Sequence, residues 1–70
     1  MAKGKVIWFR IKVGYGFIEM QDGEICFFNH SDIQDNECKV LKEGQLVEFV
    51  KVANNQGLRA VNVVPKKPYS

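Results

Sequence analysis

Histidine, cysteine and proline are scarce in this 70-residue chain, which holds one histidine, two cysteines and two prolines. Cys26 and Cys38 form no CxxC pair, and with one histidine they fall short of the four ligands of a structural zinc site. A disulfide is equally unexpected, because secreted domains of this size usually carry several bridges. The expectation is free thiols, no metal and no cofactor. No apolar run, Ile25–Phe28 included, exceeds four residues, and Lys3, Lys5, Arg10 and Lys12 interrupt the N-terminal stretch. Both a membrane-spanning helix and a signal-peptide core are thereby excluded, and the expected location is the cytoplasm. No segment offers the ten or more residues of 3.6 periodicity that a helix needs. A single histidine without a convergent acid pair leaves little from which to build an enzyme.

What remains is an ordinary globular composition, 46% hydrophobic and 26% charged. A chain this short buries only about 60% of its unfolded surface, enough for one core and not for two. The reading is one domain over residues 1–66 and a short flexible tail over 67–70. The net charge of +2 is small, but its distribution is uneven. Lys3, Lys5, Arg10 and Lys12 gather near the start and Arg59, Lys66 and Lys67 near the end, whereas residues 21–38 carry five acids and no Lys or Arg. Strands from the two ends can therefore line one basic face.

Glycine, proline and Asx pairs cut the chain into short β-rich pieces. Strands are expected at Lys5–Lys12, Tyr15–Met20 and Ile25–Asn29, with Asp22-Gly23 turning the second into the third. A long connection over 30–44 leads to strands at Gln45–Val52 and Leu58–Val64, joined by a turn at Asn54-Asn55-Gln56-Gly57. Five short strands in one domain favour closure, since an open sheet would expose its edges. The expected fold is all-β, a five-stranded antiparallel OB-fold β-barrel, with an SH3-like barrel as the alternative.

Period-two alternation puts Tyr15 and Phe17 on one face of the second strand, and the hairpin aligns that face with Phe27. Trp8 joins them if a bulge sets its parity. Such rings in a strand are ordinarily core. Gly14 and Gly16, however, flank Tyr15 where a core strand would gain from larger residues. Aromatic rings on a sheet edged by cations suit single-stranded nucleic acid, because every base has a π face and every phosphate needs a cation. His30-Ser31-Asp32 contains the residue types of a hydrolase triad, but neighbours on a chain splay apart. Ser31 and Asp32 instead read as turn caps. Gly14-Tyr15-Gly16 lacks the Gly-Lys-Ser/Thr and helix of a phosphate loop.

On these residues the chain resembles the cold-shock domain family, without gaps from Gly4 to Val63. The resemblance runs through Gly4-Lys5-Val6, Trp8-Phe9, Gly14-Tyr15-Gly16-Phe17-Ile18, Phe27, Ser31, Ile33, Leu41, Glu43-Gly44-Gln45, Val47, Phe49, Gly57, Ala60 and Asn62-Val63. It implies an OB-type barrel that binds single-stranded RNA and DNA with low sequence specificity, as an RNA chaperone, transcription antiterminator or cold-shock-type regulator. Trp8, Tyr15, Phe17 and Phe27 would stack bases, with Phe9 at the edge of that surface. Lys5, Arg10, Lys12 and Arg59 are candidates for phosphate, and Asn29 and His30 for further contacts. The chain departs from the family pattern at Ile7, Arg10, Val13, Gln56 and Cys38 and across Cys26-Phe27-Phe28-Asn29-His30. Ile7, Val13, Ile25 and Cys38 make the surface greasier, so the alternative is a barrel with weakened nucleic-acid binding that docks a protein through its aromatic patch. A monomer, no membrane and no small-molecule substrate complete the expectations.

Overall fold

The computed structural model describes residues 1–34 and 41–66. The expected tail at 67–70, and Cys38 with them, lie outside the described residues. Five strands, β1 (Ala2–Arg10), β2 (Tyr15–Met20), β3 (Ile25–Asn29), β4 (Leu46–Asn54) and β5 (Gly57–Pro65), close into a barrel in the order β1-β2-β3-β5-β4. A 3₁₀ turn, His30–Asp32, follows β3.

β2 and β3 have the bounds expected from the sequence, because their Gly and Asx punctuation is local. β1 begins three residues early and ends two early. Its first residues, Ala2–Lys5, are held as strand by pairing with Leu46–Phe49 of β4, a partner some 44 positions away. It stops at Arg10 because the Arg10 carbonyl accepts the N–H groups of Val13 and Gly14, closing a turn. Lys12, expected on the strand, lies in that turn. β4 and β5 run to the tip of their hairpin, where Asn54 pairs with Gly57.

Four seams are antiparallel. The fifth, which closes the barrel, is a parallel match of β3 with β5, Phe27 opposite Arg59, extended by a bridge from Ile33 to Val63. The chain reaches that edge only after β4, and because β5 turns back antiparallel to β4 it meets β3 in the parallel sense.

Inside lie Val6, Phe9, Ile18, Cys26, Phe28, Ile33, Leu41, Val47, Phe49, Ala60 and Val63. Phe28 and Phe49 are the largest fully buried side chains, so a truncation at either would leave a cavity costing about 3–5 kcal/mol. Two irregularities tune the wall. Val6 pairs with Ile18 but Trp8 with Phe17, so Ile7 is an extra residue in β1. A matching shift between β4 and β5 falls where Asn62 takes a left-handed φ of 53°.

Candidate nucleic-acid interface

The bulge at Ile7 decides which way Trp8 points. Strict alternation from buried Val6 would turn Trp8 inward and Phe9 outward. The extra residue reverses this, burying Phe9 and putting Trp8 on the outer face. Cross-strand register then lays the outer residues in rows. Trp8, Phe17, Phe27 and Arg59 form one row across β1, β2, β3 and β5; Arg10, Tyr15 and Asn29 form the next; Lys5, Glu19 and Ile25 lie on the other side.

Trp8, Tyr15, Phe17 and Phe27 are all half-buried and make one continuous aromatic surface. Ring centroids of Trp8 and Tyr15 are 5.3 Å apart, Tyr15 and Phe27 5.5 Å, Phe17 and Phe27 5.9 Å, and Phe17 stands 6.0 Å from both Trp8 and Tyr15. Interplanar angles from 36° to 85° show tilted and edge contacts, the geometry that ring quadrupoles favour. Neighbouring rings thus hold one another in place while each keeps part of its surface in water.

Gly16 permits this arrangement from below. A Cβ there would stand 2.5 Å from the Trp8 carbonyl oxygen and 2.9 Å from the Phe28 ring, so β2 can approach the bulged β1 and the core only without a side chain. Gly14 does something different. Its φ of +84° makes the turn into β2, and its carbonyl accepts the His30 N–H at 2.8 Å, tying that turn to the end of β3.

Phe9, expected at the edge of the surface, is a core ring instead, 8% exposed and stacked on Phe28 at 5.4 Å. His30 lies nearly parallel to Phe9, with centroids 6.5 Å apart, and its Nε2 is shut off from solvent with no hydrogen-bond partner. Asn29 shares the outer row with Tyr15.

The cations differ in their surroundings. Arg10, beside Tyr15, and Lys12, in the turn beyond it, are exposed. Lys5 is exposed too, but stands opposite Glu19 and outside the aromatic rows. Arg59 is held: its Nε and Nη2 grip the Asp32 carboxylate at 3.1–3.3 Å, and the same carboxylate accepts the Asn29 N–H at 2.9 Å. Asp32 therefore caps its turn, as the sequence suggested, and also anchors an arginine 27 residues away, which no sequence signal announces. Ile7, Ile11, Val13 and Ile25 are exposed around the surface, Val13 most at 55%.

The sequence pattern of the "'Cold-shock' DNA-binding domain" matches residues 2–66. The chain belongs to the cold-shock domain family. Cold-shock domains are nucleic-acid-binding and non-enzymatic proteins. This one is 47% identical to cold shock protein CspB of Bacillus caldolyticus over 64 residues, 91% of the chain and 97% of the relative. It is 48% identical to the cold shock-like protein CspD of Bacillus cereus over 63 residues, 90% and 96% of the two. The solved structure of Drosophila Unr CSD456 superposes with a TM-score of 0.80 at 20% identity, over 99% of this chain and 28% of that one, a likeness of fold.

Proposed function

We propose that this cold-shock domain binds single-stranded RNA or DNA by stacking successive bases on Trp8, Tyr15, Phe17 and Phe27. The observation that supports it is the continuous outer surface of four half-exposed rings. Stacking is tolerant of sequence because each base has a π face, so the binding is of low specificity. Arg10 and Lys12 line one side of the surface and meet phosphate, with Lys5 contributing from the other side against Glu19. Bases held in this way are withdrawn from pairing, which lowers the stability of RNA hairpins and is the physical content of chaperone and antitermination activity. The domain acts as a monomer, in the cytoplasm.

A second reading, docking of a protein on the same face, is favoured by the exposed Ile7, Ile11, Val13 and Ile25. One titration separates the two. Trp8 fluorescence is followed while a pyrimidine heptamer is added at low and at raised salt. Quenching that weakens steeply with salt, through counterion release, supports stacking on a charged strand. Absence of quenching at low salt refutes it and leaves the apolar rim as a protein surface.

A further inference from the structure

The Arg59–Asp32 pair lies at the end of the aromatic row, where it joins β5 to the turn after β3. Arg59 stands beside Phe27 on the adjacent strand, and residues matched across a parallel pair project to the same side of the sheet. Its side chain is 39% exposed against 11% for Asp32, so the acid is the buried anchor and the guanidinium the presented group. Asp32 is itself fixed by the Asn29 N–H.

The pattern of donors is informative. Asp32 takes the side of the guanidinium, Nε and Nη2. Among the described residues Nη1 meets no acceptor, and Nη2 has a second hydrogen. The end of the fork, Nη1 with Nη2, is thus a flat two-pronged donor aimed away from its anchor. Its charge is already matched by a carboxylate, so its pull on a phosphate is reduced, whereas its two directed hydrogens are not.

We infer that Arg59, oriented by Asp32, reads the edge of a base stacked on Phe27 and selects a base that carries two adjacent acceptors. That chemistry is offered by guanine through O6 and N7 and by cytosine through O2 and N3. Thymine, uracil and adenine offer no such pair on any edge. The inference rests on the stacking reading above and adds one position of preference to a strand otherwise bound without regard to sequence. Asp32 is a positioning residue in this scheme.

The test is a set of heptamers of dT in which a single dG, dC or dA is moved through each position, titrated against Trp8 fluorescence. With the natural chain, dG or dC at one position binds about tenfold tighter than dT or dA there, equivalent to about 1.4 kcal/mol. In Arg59→Lys, which keeps the charge and loses the fork, the ratio at that position falls towards one, and in Asp32→Asn it shrinks. Where dG is the preferred base, 7-deaza-dG in the natural chain removes N7 and also abolishes the gain, a readout that needs no variant to fold. The inference is overturned if oligo-dT binds but no position distinguishes the bases, or if the gain survives Arg59→Lys. An equal loss on every oligomer in Arg59→Lys, with no preference in the natural chain, marks a phosphate contact and overturns it as well. Failure of oligo-dT to bind at all refutes the stacking reading, and this inference falls with it.

Discussion

At the scale of single residues, the platform depends as much on what lies under it as on its rings. Gly16 faces a backbone oxygen, which cannot swing aside as a side chain can. Gly16→Ala should therefore cost about 1–3 kcal/mol in urea unfolding, the usual penalty of overpacking, and should also weaken nucleic-acid binding by displacing Trp8. Trp8→Ala is the complementary case. Loss of one stacking ring should lower affinity by about 1–3 kcal/mol in a binding titration followed by anisotropy, while the buried core, which Trp8 does not enter, keeps its packing. Tyr15, Phe17 and Phe27 were legible as one face because alternation within one hairpin is a local rule, whereas Trp8, on β1, could be placed with them only on condition of a bulge. Phe9 was not legible. Its inward turn follows from one extra residue in β1, and nothing about Ile7 marks it as that residue.

At the scale of elements, β2 and β3 could be bounded from the sequence, since Gly14, Asp22 and Gly23 lie at their ends. β1 could not, because half of it is a strand by virtue of β4. The parallel seam was equally hidden: it joins Phe27 to Arg59, on strands separated in the chain by the whole of β4. The irregularity in β5 does carry a signal, for Asn is among the few residues that tolerate the left-handed region. Asn62 there has φ 53° opposite the register shift in β4. Asn62→Gly should leave thermal stability unchanged or slightly raised. Asn62→Val, β-branched and forced to the same φ, should lose about 1–2 kcal/mol. Equal stability of the two variants would mean that the strand can shed its bulge.

At the scale of the whole molecule, a net charge of +2 is too small to draw a strand from solution, and the local arrangement must do it. With Lys5, Arg10 and Lys12 as the free cations of the surface among the described residues, log K should fall with log salt at a slope of about −2, or about −0.7 for each phosphate neutralised. Arg10→Gln should flatten that slope by about one such step, measured by repeating the titration at several salt concentrations. A slope unchanged by Arg10→Gln would place the phosphates elsewhere on the barrel.

The closed barrel also imposes a pH dependence that its surface charges do not reveal. Cys26 is wholly buried, and burial pushes its thiol above the ordinary value, against the partial opposition of the Lys51 charge. The neutral thiol is thus the form the fold prefers. Its contribution is complete below the ordinary thiol pKa of about 8.5 and is lost as pH rises through the elevated folded value, because only the unfolded chain then ionises freely. Lys51 is raised as well, by its hydrogen bond and charge pairing with Glu24, and acts in the same sense. Its window opens higher, above the ordinary lysine value of about 10.4. Between these two values Cys26 acts without Lys51, and the urea midpoint should decline steadily from about pH 8.5 to about pH 10. Cys26→Ala should be less stable throughout, from the cavity it leaves, yet flatter over that interval. A midpoint that falls as steeply in Cys26→Ala as in the natural chain would assign the alkaline loss to another group.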